Sequence, residues 1–248
     1  MTTLDIVIPV YNEAHTIETC IVSLSAFMSE NMSGYEWRIV VANNGSTDNT
    51  LAVAKELSTK YPNVGYVHLD LKGRGRSLKK AWTDSKADVV AYMDVDLSTG
   101  LSALPPLIDA IASEGYDIAI GSRLSSRSQI ERSLKREVLS RGYNLIIRSM
   151  FRTGFHDAQC GFKAVSRKVV HELIPVVKDN HWFLDTELLL IAEKRGYRIK
   201  EIPVAWSEDA DSRVKIVSTV TEDLKGLLRL RFGGIPQPVR QHPTESPR

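Results

Sequence analysis

Asp94 and Asp96 stand one residue apart at the end of an apolar run, Val89-Val90-Ala91-Tyr92-Met93. Two carboxylates that close repel each other unless a cation is shared between them or one takes a proton. Carboxylate oxygens suit a hard divalent ion, and Mg²⁺ is commonly held by one or two carboxylates together with substrate phosphates. The pair therefore reads either as a metal–diphosphate site or as a polar, solvated turn, and Asp-x-Asp alone does not decide between them. The apolar run itself reads as a buried strand. That puts the aspartates at its carboxyl end, where open α/β sheets bind ligands.

The elements that must position them alternate. Strands are expected over Leu4–Val10, Trp37–Val41, Val64–Leu69, Asp88–Met93 and Asp117–Ile120, with helices over Glu13–Met28, Ser46–Lys60, about Arg74–Ser85 and Ser102–Ser113. This β-α order predicts an α/β protein with a doubly wound, mostly parallel sheet. Four loops should then converge on one edge: Tyr11-Asn12-Glu13, Asn43 to Asp48, Lys72 to Arg76, and Asp94 to Ser98. Gly73 and Gly75 allow close backbone approach, and Arg74 or Arg76 can meet a phosphate. The second half is less regular. Helices are expected over Leu134–Phe151, within Trp182–Arg195 and over Lys215–Phe232, with strands at Phe162–Val165 and Arg198–Val204.

The 248 residues suit one large domain, and 43% hydrophobic with 25% charged content is ordinary for a globular protein. A net charge of +2 gives no general affinity for polyanions, so nucleic acid is not an expected partner. The charge is uneven: eight Lys/Arg against two Glu lie between Gly121 and Gly154. Arg123, Arg127 and Arg132 in that stretch are candidates to hold a phosphate or simply a solvated basic face. Cys20 and Cys160 are far apart with no metal-like spacing, which fits a reducing, cytoplasmic compartment. No run of 18 apolar residues predicts a membrane span. The tail, 233–248, is rich in proline and is expected to be disordered. No Gly-x-Gly-x-x-Gly follows the first strand and no Gly-Lys-Ser is present, which disfavours dinucleotide oxidoreductases and P-loop NTPases.

Taken in order, Ile8-Pro9-Val10-Tyr11-Asn12-Glu13, Asn44-Gly45-Ser46-Thr47-Asp48, Lys72-Gly73-Arg74-Gly75 and Asp94-Val95-Asp96 resemble the signature of glycosyltransferase family 2. Gly121-Ser122-Arg123, Asp157-Ala158-Gln159-Cys160-Gly161-Phe162-Lys163 and Trp182-Phe183-Leu184-Asp185-Thr186-Glu187 extend the match. These later motifs resemble its polyprenyl-phosphate branch, which includes the dolichyl-phosphate β-glucosyltransferases. The resemblance implies a GT-A fold over about 1–232, with a nucleotide-sugar half to about 121 and an acceptor half from about 122. It also implies inversion at the sugar carbon and Mg²⁺ or Mn²⁺ held by Asp94 and Asp96. Pro9, Tyr11, Glu13, Asn44, Asp48, Lys72, Gly73, Asp94 and Gln159 are then the donor-binding candidates. Asn43 and Asn44 depart from the family, which often has aspartates there. Asp185 matches the acidic motif that supplies a catalytic base in hydroxyl-acceptor relatives.

The expected reaction moves a hexose, glucose first, from a nucleotide sugar of the UDP-glucose or GDP-mannose type to a polyprenyl phosphate. Such an acceptor is already an anion and needs no strong base; the task is to hold two anions together. The alternatives are a family member acting on a glycan or small-molecule hydroxyl, or a nucleotide-sugar-binding module without catalysis. The helices over 134–151 and 216–232 carry basic and apolar residues, so a membrane surface or a membrane-protein partner is a further expectation.

Overall fold

The computed structural model describes residues 1–131, 133–207 and 216–239. The first half runs β1 (Thr2–Val10), α1 (Ile17–Asn31), β2 (Tyr35–Asn44), α2 (Thr50–Lys60), β3 (Val64–Leu69), α3 (Arg74–Asp84), β4 (Val89–Met93), α4 (Leu104–Ala112) and β5 (Ile118–Ser122). The second half adds β6 (Gln129–Glu131), α5 (Leu134–Phe151), β7 (Phe162–Ser166), α6 (Arg167–Glu172), α7 (Leu184–Lys194), β8 (Ile199–Pro203), β9 (Ala205–Ser207) and α8 (Ile216–Gly233).

Seven strands form one sheet in the order β3-β2-β1-β4-β7-β5-β8. All neighbours are parallel except β7, which runs antiparallel to both β4 and β5. The expected mostly parallel, doubly wound sheet is present. The antiparallel insertion, the short helix α6 and the small parallel ladder β6–β9 were not foreseen. Alternation along each strand sends side chains to opposite faces, and two separate cores result. Val7, Val40, Val90, Tyr92, Ile120 and Val165 meet α3, α5, α7 and α8 on one face. Ile6, Ile8, Val41, Ala91, Met93 and Phe162 meet α1 and α4 on the other. β4 is buried throughout, which explains its unbroken apolar run.

The expected strand over 198–204 divides at Val204 into β8 and β9, because β9 leaves the large sheet to pair with β6. Residues 235–239, part of the stretch expected to be disordered, lie against the domain. Arg195 Nε donates to Pro236 O at 2.8 Å, and Val239 N to Glu172 O at 2.9 Å. Among the described residues no helix is long and apolar enough to cross a membrane.

Candidate active site

The loops after β1 and β2 are tied together by side chains that accept from, or donate to, backbone. Asn12 takes a left-handed conformation (φ 56°), which asparagine tolerates. Its Oδ1 accepts from Thr47 N at 2.8 Å, while its own N–H donates to Ser46 Oγ at 3.0 Å. Glu13 N donates to Thr50 Oγ1 at 2.8 Å. Asp48 Oδ1 accepts from Thr50 N at 2.9 Å beside the start of α2. Burial would raise the Asp48 carboxyl, but its bonds from Thr50 and Ala14 hold it below the ordinary carboxylate range. Pro9 pairs in register with Ala42, so the two loops leave the sheet side by side.

The basic loop joins them. Gly73 N donates to Asn44 Oδ1, and Lys72 Nζ stands 3.6 Å from the Tyr11 ring centroid. Gly73 and Gly75 are glycines for a reason the sequence did not show. A Cβ at 73 would lie 2.7 Å from Asn180 O, and one at 75 would lie 2.9 Å from His181 O. The segment before α7 presses on this loop, and Arg76 N donates to Asn180 O at 3.0 Å. The glycines thus admit a neighbouring backbone, whereas the sequence had suggested a phosphate.

Asp94 and Asp96 follow β4 at the carboxyl edge, as expected. The Asp94 side chain is 44% exposed, and Asp96 is exposed with its Oδ1 accepting from Ser98 N at 2.9 Å. Between them and Ser98, Leu97 adopts φ 55°, a conformation costing a branched residue about 1–3 kcal/mol and typical of functional turns. Because β7 runs antiparallel, Gly161 lies beside Asp94, and Asp94 N donates to Gly161 O at 3.2 Å. A Cβ at 161 would fall 1.7 Å from Asp94 Oδ2. The missing side chain makes a cradle for this carboxylate. Two solvent-facing carboxylates at one turn fit a hard divalent ion that completes its shell with phosphate oxygens and water. Among the described residues no third His, Cys, Asp or Glu joins them.

Beneath Asp94 lies a network of buried charge. Arg74, which opens α3, donates from Nη2 to Asp94 Oδ1 and from Nη1 to Asp185 Oδ2, each at 2.9 Å. The Tyr92 and Trp182 rings flank its guanidinium at 4.8 and 4.9 Å. The register pairs Tyr92 with Lys163, so both project to the same face. Lys163, with no exposed surface, reaches Asp185 Oδ1 at 3.0 Å and donates to Cys160 O at 2.6 Å. The Tyr92 hydroxyl donates to the same Asp185 oxygen. Burial would raise the Asp185 carboxyl, but Lys163, Arg74 and the Tyr92 hydrogen bond together hold it below the usual range. Burial would likewise discharge Arg74, yet Tyr92, Asp94 and Asp185 keep it firmly protonated. Asp185 is thus saturated by cations, an arrangement opposite to that of a general base waiting for a proton.

The remaining sequence candidates separate. Arg123 follows β5 and is clamped to the fully buried Asp157: Nε to Oδ2 and Nη2 to Oδ1, each at 2.9 Å. Its backbone N donates to the same carboxylate at 2.9 Å. Burial would raise Asp157, but Arg123 lowers it, so the pair stays ionised. Expected at the acceptor phosphate, Arg123 has its fork spent on Asp157. Arg127 is exposed in the loop before β6, and Arg132 lies outside the described residues. Gln159 donates from Nε2 to Asp223 Oδ2 at 2.7 Å. Glu187, fully buried, accepts from Arg229 Nη1 at 2.9 Å and from Asp179 N at 2.8 Å, joining α7 to α8. Sequence reasoning missed Arg74 as the centre of the network, and also Lys163, Tyr92 and Asp223. Arg74 and Lys163 both stood within recognised motifs, and for Lys163 a lysine inside a strand otherwise full of apolar residues was the available signal.

Residues 5–174 match the family model described as glycosyl transferase family 2. The glycosyltransferase AglD of Haloferax volcanii is 36% identical over 218 residues, which span 88% of this chain and 35% of that protein. The dolichyl-phosphate beta-glucosyltransferase of Saccharomyces cerevisiae is 27% identical over 92% of this chain and 74% of its own length. The chain therefore spans about a third of the first of these relatives. Among solved structures, glucosyl-3-phosphoglycerate synthase of Mycobacterium tuberculosis with bound UDP superposes with a TM-score of 0.69 at 19% identity, covering 95% of this chain and 82% of that one. The same enzyme has been solved with Mn²⁺ or Mg²⁺ beside UDP. The likeness bears out the GT-A fold expected from the motifs. On the matched segment and the shared fold, the chain belongs to glycosyl transferase family 2.

Proposed function

We propose that this enzyme transfers a hexose, with inversion, from a nucleoside-diphosphate sugar to a polyprenyl phosphate. The observation that carries the reading is the state of Asp185. A hydroxyl acceptor needs a base, and the acidic residue matching that role is buried and held by Arg74 and Lys163. An acceptor that arrives as an anion needs none. An acceptor phosphate oxygen attacks the sugar carbon, the bond from that carbon to the diphosphate breaks, and the bonding pair leaves on the diphosphate oxygen. No proton has to move. The names of relatives that use dolichyl phosphate support the same acceptor, and glucosyl-transferring relatives favour UDP-glucose over GDP-mannose.

Pro9, Tyr11, Glu13, Asn44 and Asp48 shape the donor pocket, and Lys72 with Gly73 closes it toward the diphosphate. Asp94 and Asp96 would hold Mg²⁺ or Mn²⁺, which neutralises the leaving diphosphate when bound. Arg74 fixes the Asp94 carboxylate for that purpose. The acceptor phosphate falls to Arg127 and Arg132, since Arg123 is engaged in holding Asp157. A lipid acceptor places the enzyme at a bilayer, on the cytoplasmic face where its two buried free thiols stay reduced. Exposed apolar side chains gather on two helices, with Leu134, Val138 and Leu145 on α5 and Leu224, Leu228 and Phe232 on α8. Basic residues beside them suit an anionic surface.

The test is a matrix of UDP- and GDP-sugars against short polyprenyl phosphates and sugar hydroxyl acceptors, with and without chelator. Transfer from UDP-glucose to the phosphate alone, abolished by chelator, is expected. Transfer to hydroxyls only, or turnover indifferent to chelator, would overturn the acceptor or the metal assignment respectively.

A further inference from the structure

Asp223 lies on α8, far from every motif in the sequence, yet it is only 2% exposed. One oxygen, Oδ2, accepts from Gln159 Nε2. The other, Oδ1, is buried and makes no hydrogen bond of ordinary geometry, although the Tyr143 hydroxyl, bonded to Thr186 Oγ1 at 3.0 Å, faces this carboxylate. Burial pushes this carboxyl up, the Gln159 hydrogen bond pulls it down, and the charges of Asp179, Asp185 and Glu222 push it further, to about 7. A buried carboxyl with only one well-formed hydrogen bond is costly, and native proteins rarely keep one without a task. An asparagine could hold Gln159 at lower cost.

What an asparagine could not do is fix direction. Above about pH 7, where it is ionised, this carboxylate only accepts hydrogen bonds, whereas an amide both donates and accepts. Facing Asp223, Gln159 must turn its NH₂ inward, which leaves Oε1 as the end available to a ligand. No described residue donates to that oxygen, and Gln159 is only partly buried. Gln159 also stands two residues before Gly161, against which the Asp94 carboxylate rests. The backbone of Gln159 is thus close along the chain to the glycine that cradles Asp94, and its amide oxygen is the end not engaged by Asp223.

We propose that Asp223 is a positioning residue that fixes the polarity of the Gln159 amide, so that Gln159 Oε1 accepts a hydrogen bond from a hydroxyl of the transferred sugar. This rests on the reading that the donor is a nucleotide sugar. Asp223 itself touches no substrate, and Gln159 reads the sugar part of the donor, leaving the nucleotide to the loops after β1 and β2.

Calorimetric titration of UDP and of UDP-glucose at pH 8, with Mn²⁺ present, tests it on the wild type, Gln159→Ala and Asp223→Asn. A GDP and GDP-mannose pair runs alongside. UDP affinity should stay within about twofold in all three proteins. The ratio of UDP-glucose to UDP affinity should fall about tenfold in Gln159→Ala and about threefold in Asp223→Asn, the range one hydrogen bond spans. The melting temperature of Asp223→Asn should not fall. A lowered melting temperature with an unchanged ratio would overturn the proposal and leave Asp223 as a tie between α8 and the 157–161 loop. Wild-type protein that binds neither nucleotide pair would instead sink the donor reading, and this proposal with it.

Discussion

Around the loops after β1 and β2, neutral side chains close on backbone groups: Asn12 on Thr47, Ser46 on Asn12, Thr50 on Glu13. Around Asp185 the same task falls to buried ions, with Arg74 and Lys163 on one carboxylate and Arg123 on Asp157. The first arrangement is local and adjustable, because each bond joins a short uncharged side chain to a backbone group of the neighbouring loop. The second is all-or-none, since removing one partner leaves an uncompensated charge in a low dielectric. A pocket that must admit and release a nucleotide is suited to the first. A carboxylate that must hold one orientation beside a metal is suited to the second.

The comparison can be broken at several points. The largest effect should come from Asp94→Ala, which should reduce turnover about a thousandfold or more by removing the electrostatic anchor proposed for the diphosphate. Gly161→Ala should approach it, because the added Cβ collides with Asp94 Oδ2; turnover at saturating Mn²⁺ measures both. Next, Asp185→Asn should cost about 3–5 kcal/mol of stability by leaving Lys163 without a carboxylate and Arg74 with Asp94 alone, read from the midpoint of urea unfolding. A residue acting only as a base would leave that midpoint unmoved. Arg123→Ala should destabilise the fold in the same manner, while Arg127→Ala should raise the KM for the proposed lipid-phosphate acceptor and leave the unfolding midpoint alone. Asn12→Ala, on the neutral side, should cost only about 1 kcal/mol, the worth of an ordinary hydrogen bond.

A separate effect concerns pH. The Asp223 carboxyl titrates near 7 when folded and near the ordinary value of 3.8 when unfolded. Between those values the folded protein binds the extra proton, so this group's stabilisation is complete below the lower value and is lost as pH rises through about 7. Asp223→Asn should therefore melt higher than wild type at pH 8, and the difference should vanish toward pH 4.

Much of the donor side was legible because its signals are local. An apolar strand followed by two acids, or a turn rich in Asn, Gly and Ser, announces itself within ten residues. The buried network was not, because its members are joined by topology. Lys163 meets Tyr92 only because β7 enters the sheet antiparallel, and nothing in either strand states that direction. Asp223 meets Gln159 across a separation of 64 residues. Arg123 looked like a phosphate ligand because its position after a strand was visible and its partner, Asp157, was not. The glycines at 73 and 75 suggested ligand approach for the same reason, since the backbone that fills the space comes from residues 180 and 181.

Gly161 adds a constraint on how such a site can change. The orientation of Asp94 depends on an absence in the residue just before β7, so a single base change there would silence the proposed metal site while leaving Asp94, Asp96 and the loops after β1, β2 and β3 intact. A reader scanning this chain for a working Asp-Val-Asp would still find one. Whether a chain of this design is a live transferase or a silent one can thus be judged first at a position that carries no functional group at all.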